Sequence, residues 1–217
     1  GDSYIAKLIG AGHKVAICEQ LETPEEAKKR GYKSVVRREV VRIITPGTIT
    51  EDNLLGGGGS NFLVAISSLQ DEFAIAWADI STGEFYTYRT SFASLVNDLS
   101  RISPQEILIS DKLYNQENMV AALSDWRRIV TIQANNLFDL KKAEHKVKKY
   151  YNVMTSESFG LYSSVELIAC GAVLEYIELT QKTNQLQISY PKRLNNSLFM
   201  AVDAATRNNL EINRSSC

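Results

Sequence analysis

Charge of one sign is what this chain most plainly lacks. Lys and Arg total 24 against 25 Asp and Glu, a formal net charge of −1. The overall electrostatic footprint of a nucleic-acid or anionic-membrane binder is therefore missing. Cysteine is scarce: Cys18, Cys170 and Cys217 lie far apart and are odd in number. With no C-x-x-C pair and no disulfide framework, a reduced, cytoplasmic setting is expected. No apolar run approaches the ~18 residues that span a bilayer, and the N-terminus lacks a signal-peptide layout. The two histidines, His13 and His145, have no Cys, Asp or second His at metal-ligand spacing. Phosphate-binding glycine motifs, the G-x-S-x-G elbow and H-E-x-x-H are all missing.

What is present is ordinary globular material, 44% hydrophobic and 23% charged over 217 residues. That length suffices for one substantial core plus a smaller unit. Ser3 can cap a helix carrying Tyr4, Ile5, Leu8 and Ile9 on one face, closed by Gly10 and Gly12. "KVAIC" reads as a buried strand and "SVVRREVVRIIT" as a longer one. One helix and two strands cannot enclose a core, since about forty residues is near the lower limit for an unstapled fold. Residues 1–45 are thus expected to be the end of a domain. Pro46-Gly47 marks a turn, because Pro fixes φ and Gly accepts positive φ. "GGGGS" (56–60) has the composition of a flexible laboratory linker and is set aside as an engineered linker or loop replacement.

The central stretch is better specified. "NFLVAISS" (61–68), "FAIAWADIS" (73–81) and "EFYTYRT" (84–90) are strand-like, with turns at Asp71-Glu72 and Thr82-Gly83, so an antiparallel meander is expected. Phe92, Leu95, Val96, Leu99 and Ile102 then recur at helical spacing between a Ser91 cap and a Ser103-Pro104 stop. "EILIS" (106–110) reads as a strand covered on both faces. A helix over about 115–125, strand "IVTI" (129–132) and a basic helix with Leu137, Leu140, Ala143, Val147 and Tyr150 on one face follow. A last helix opens at Ser163 with Glu166 three residues on, a capping-box arrangement. Three antiparallel strands followed by strand–helix units is the order of an RNase H-like α/β fold.

That fold invites a search for metal-binding carboxylates. Asp79, Glu106 and Asp111 are the candidates for a metal-dependent nuclease, but the first strand has no acid, and Asp79 precedes a turn where Asp commonly bonds its own backbone. Lys141, Lys142, Lys146, Lys148 and Lys149, and Arg37, Arg38 and Arg42, could contact phosphates; in a near-neutral chain they read better as solvated faces.

Four blocks carry a resemblance. "YIAKLIGAGHKVAICEQLETP", "VVRREVVRIITPGTITEDNLL", "DISTGEF" and "DAATRNNLEI" occur in this order between residue 3 and about 212. In that order they resemble the bacterial MutS family of DNA mismatch-repair proteins. The resemblance implies a fragment: 1–45 as the C-terminal part of the mismatch-recognition domain, 46–60 as an inter-domain linker, 61–186 as an RNase H-like connector domain without nuclease activity, and 187–217 as the start of the core or lever domain. It implies that "RIITPGT" is a seam between domains. The family's Phe-x-Glu mismatch reader, its P-loop ATPase and its DNA clamp are not among these residues. The resemblance therefore implies no catalysis and no cofactor here, with ATP and Mg²⁺ belonging to the full-length family. Mismatched double-stranded DNA and the homodimer also belong to the full-length protein. The implied connector role is to link mismatch binding to the ATPase and to dock MutL. Phe159, Leu161 and Tyr162 in "TSESFGLYSS" are candidate anchors for that docking, with packing beneath their own helix as the competing expectation.

Overall fold

In "NFLVAISS" and "FAIAWAD" large and small apolar residues fall on opposite sides, and the sheet they form is covered on both. The computed structural model describes residues 2–50, 59–153, 162–182, 186–196 and 199–200. Strands β3 (Phe62–Leu69), β4 (Glu72–Asp79) and β5 (Glu84–Thr90) make the expected meander. β6 (Glu106–Ser110) runs parallel to β3, and β7 (Val130–Gln133) parallel to β6. A short β8 (Lys192–Arg193) adds parallel to β5 and completes the order β7-β6-β3-β4-β5-β8. The first hairpin turns at Gln70 and Asp71, both at positive φ (49° and 65°), one residue earlier than the sequence suggested. Positive φ at both central residues is what a two-residue type I′ hairpin needs, so Glu72 already pairs with Leu69.

Alternation along the strands divides the core. Leu63, Ala65, Ala74, Ala76, Ala78 and Leu108 face helix α7 (Ser164–Thr180). Phe62, Val64, Ile66, Ile75, Trp77, Ile107 and Ile109 face α3 (Phe92–Ile102), where Leu95, Leu99 and Ile102 meet them. The alanine-rich face lets α7 lie close to the sheet, which is why a helix apolar nearly all round is buried there. Outside it packs α6 (Leu140–Tyr151), so close that a Cβ on Gly171 would lie 2.5 Å from Ala143 Cβ. The caps read from sequence at Ser91 and at Ser163 with Glu166 are formed.

Several details differ from expectation. In place of one helix over 115–125 there are α4 (Asp111–Tyr114), α5 (Glu117–Ala122) and a 3-10 turn, Ser124–Trp126. The Ser110 hydroxyl accepts from Leu113 N and starts a turn earlier than the periodicity implied. The basic helix is also shorter: Asn135–Phe138 is a 3-10 turn, and Asp139 caps α6 by accepting from Lys142 N. Val96, placed on the apolar face of α3, is exposed.

The first residues form α1 (Asp2–Gly10), β1 (Val15–Gln20), α2 (Pro24–Arg30) and β2 (Arg38–Ile44), with β1 antiparallel to β2. Helix α2 escaped the sequence reading, although Thr23 and Glu26 form a full capping box with Pro24 at its start. Ser3 lies inside α1 instead of capping it. "KVAIC" is not a buried strand, since only Val15 and Ile17 are half-buried. Ile9, Ile44 and Ile49 form a small cluster, while Tyr4 and Leu8 stay exposed. At the other end Phe199 stacks on Tyr88 at 4.7 Å, whereas Met200 is exposed and Leu198 lies outside the described residues. Among the described residues no helix is long and apolar enough to cross a membrane.

Candidate functional site

Glutamate at the first position of an otherwise apolar strand looks like a strand-end accident. It is instead the most heavily bonded buried side chain among the described residues. Glu106 opens β6 with only 1% of its surface exposed. Its Oε1 accepts from Thr131 Oγ1 on β7 and from Tyr176 OH on α7, both at 2.7 Å. Its Oε2 accepts from Thr45 Oγ1 at 2.5 Å and from Gly47 N at 3.1 Å. Lys14 Nζ stands 3.6 Å from Oε1, close to the start of β1. A carboxylate offers about four acceptor positions, and all of them are taken. Burial, with the Glu106 carboxylate beside it, pushes the Tyr176 phenol well above its usual range, so it remains a donor at neutral pH.

The Thr45-Pro46-Gly47-Thr48 turn is shaped by the same contacts. Thr48 N donates to Thr45 O, and Thr48 Oγ1 accepts from Thr45 N at 2.9 Å. Thr45 and Thr48 are fully buried. Gly47 does not use positive φ, as the turn composition had suggested; a Cβ there would sit 2.8 Å from Glu106 Cβ and 3.0 Å from Leu63 Cδ1. Close approach is what demands glycine. At the end of α7, Gln181 Nε2 reaches the carbonyls of Ile43 and Thr48, each at 3.5 Å.

The other carboxylates named from sequence are occupied elsewhere. Asp79 is buried and accepts from Asn61 N, Ser81 N and Ser81 Oγ, as an Asp before a turn commonly does. Asp111 accepts from Asn115 Nδ2 at 3.0 Å on α4. Among the described residues no three His, Cys, Asp or Glu side chains form a set that could hold a metal ion. On the basic helix, Lys146 is tied to Glu175 at 2.6 Å and to Glu178. Burial pulls its ammonium pKa down, but the two carboxylates outweigh that and leave it raised. Lys141, Lys142 and Lys149 are exposed.

Of the three candidate docking anchors, Phe159 and Leu161 lie outside the described residues. Tyr162 is half-buried against the α7 cluster, and its hydroxyl donates to Pro191 O. Beside it a second polar joint missed by the sequence reading holds β8: Arg193 Nε donates to the fully buried Glu166 Oε1 at 3.0 Å. Glu166 was legible as a capping-box residue, and its Oε2 does accept from Ser163 N and Ser163 Oγ. Nothing local in the sequence pointed to Arg193.

Residues 61–189 match the family model for MutS domain II, and residues 1–53 match that for MutS domain I. The turn that Glu106 binds falls near the end of the domain I match. The chain is 44% identical over 211 residues to the DNA mismatch repair protein MutS of Wolbachia pipientis wMel, covering 97% of this chain and 25% of that protein. Similarity to the proteins of the same name from Ehrlichia chaffeensis (44% over 211 residues, 97% and 26%) and Rhizobium meliloti (42% over 215 residues, 97% and 24%) is of the same order. The chain spans about a quarter of the length of the curated relatives it matches. With the two domain models matching in sequence order on either side of the Glu106 seam, the chain belongs to the MutS family.

Proposed function

We propose that this chain serves as the connecting part of a DNA mismatch-repair protein. Residues 61–186 are an RNase H-like connector domain that performs no catalysis. Residues 1–45 are the end of the mismatch-recognition domain, 46–60 the link between the two, and 187–217 the entry to the core. In the full-length, cytoplasmic protein the connector passes the state of a mismatch-binding domain to a distant ATPase, which also forms the homodimer, and it docks MutL. ATP and Mg²⁺ act at the ATPase and have no role within these residues. The observation that carries this reading is the Glu106 seam: a buried carboxylate binds three sheet or helix elements of one unit to the turn and Lys14 of the other. Displacement of one unit is thereby transmitted to the other through short polar contacts.

The docking edge is residues 155–164, with Phe159, Leu161 and Tyr162 as its anchors. Biolayer interferometry of MutL against the immobilised chain tests this. Saturable binding is expected, weakened about tenfold or more by Phe159→Ala with Leu161→Ala, in line with the loss of apolar anchors. Tyr162→Phe, which keeps the ring and removes the hydroxyl that donates to Pro191 O, should leave docking within about fivefold, since a single hydrogen bond contributes about 1 kcal/mol. No binding of MutL to the unaltered chain would overturn the docking role. No observation favours a nuclease on this fold: among the described residues Asp79, Glu106 and Asp111 do not come together as a set that could hold a metal ion.

A further inference from the structure

A turn that merely connects two units would be solvated, with its backbone groups bonded to water. Thr45 and Thr48 are instead fully buried, and Thr45 Oγ1 and Gly47 N both donate into one side-chain carboxylate of the other unit. We infer that residues 61–182 carry a peptide-binding site, built on Glu106, for the Thr45-Pro46-Gly47-Thr48 turn. This site holds residues 2–50 in place independently of the covalent link. The inference does not depend on the mismatch-repair reading.

The site has the parts expected of a built one. Its floor is a buried charge whose Oε1 is pre-oriented by Thr131 and Tyr176, leaving Oε2 facing the turn. Hydrogen bonds to an ionised acceptor are about twice as strong as neutral ones. Its wall is the Cβ of Glu106 and the Cδ1 of Leu63, which leave no room for any side chain at position 47. At the rim, the Gln181 amide lies within reach of two carbonyls, that of Ile43 before the turn and that of Thr48 at its end. Lys14, from the same unit as the turn, adds a positive charge 3.6 Å from the carboxylate. The ligand class is therefore a tight Thr-x-Gly-Thr turn, while Ile49, the residue after it, is buried within its own unit against Ile9 and Ile44.

The test severs the covalent link after folding. A specific protease site replaces residues 56–60, the folded chain is cut, and the products are followed by native mass spectrometry and by size exclusion on dilution. The two pieces should elute together at micromolar concentration. Glu106→Ala should weaken their association by a hundredfold or more. Glu106→Gln should hold within about tenfold, because its amide oxygen still accepts from Gly47 N and Thr45 Oγ1 while its NH₂ can donate to the Thr131 and Tyr176 hydroxyls. Since Glu106→Ala also disturbs the larger unit, Thr45→Val and Gly47→Ala test the same contact from the turn side, with circular dichroism of the larger piece reporting its fold. Each should release the smaller piece at concentrations where the unaltered pieces stay joined. Separation of the unaltered pieces on cutting would overturn the inference. So would retention of Thr45→Val and Gly47→Ala as tight as the unaltered turn.

Discussion

Replacing Gly171 with alanine sets two known effects against each other. In the middle of α7, Gly→Ala should add about 1 kcal/mol of helix stability from propensity alone. Yet the new Cβ would fall 2.5 Å from Ala143 Cβ and 2.6 Å from Ala143 Cα on the neighbouring helix. Carbon contacts are comfortable at about 3.5–4.0 Å, so α6 must retreat by about 1 Å. No flexible side-chain end can absorb that, because the clashing atoms include backbone. Overpacking a well-filled site costs about 1–3 kcal/mol, occasionally more, and a helix displacement belongs at the upper end. It would also loosen Val147 from the core and stretch Lys146 away from Glu175. The net expectation is a loss of about 1–2 kcal/mol, or about 2–8 °C in melting temperature for a chain of this size. Thermal and urea unfolding followed by circular dichroism measure it. Gly10→Ala is the matched control, since a Cβ there meets nothing within 4 Å; it should be neutral or slightly stabilising. A Gly171→Ala protein melting at or above the parent would refute the close-packing argument.

Other consequences follow from buried polar groups. Burial above all pushes the Tyr162 phenol up to about 12, and it raises Tyr151 and Tyr176 further still from the ordinary value near 10. Because the folded state favours the neutral phenols, their contribution to stability is intact below pH 10 and is lost as pH climbs from 10 through 12 and above. Tyrosinate absorbance and circular dichroism recorded together should show these side chains ionising only as the chain unfolds; ionisation near pH 10 with the fold intact would contradict their burial. Arg193→Ala should cost about 2 kcal/mol, the worth of a hydrogen bond to a buried charged group, reduced by the partial exposure of the arginine. Hydrogen exchange should then quicken at Leu194 N, which donates to Thr87 O as β8 docks, and unchanged protection there would mean that the Glu166 contact does not hold the strand.

Local sequence was sufficient for much of this architecture because local forces decide it. Ser91 and Ser163 carry the oxygen that an N-terminal helix turn requires, and Glu166 lies at the spacing that completes a capping box. Large and small residues alternate in "NFLVAISS" and "FAIAWAD", and period two alone separates the α7 face from the α3 face. Helix α2 was within reach by the same logic: seven residues are too short for periodicity to register, but Thr23 and Glu26 held the signal. The seam was another matter. Glu106, next to an apolar run, is compatible with an exposed strand end, a metal ligand or a buried anchor, and its donors come from positions 45, 47, 131 and 176. No spacing rule relates those positions. Only the parallel pairing of β6 with β3 and β7, and the passage of α7 across them, brings the donors to one carboxylate. Arg193 meets Glu166 for the same reason, through the addition of β8 to the sheet edge. A buried charge must find partners wherever the chain can supply them, and tertiary structure alone decides which residues those are.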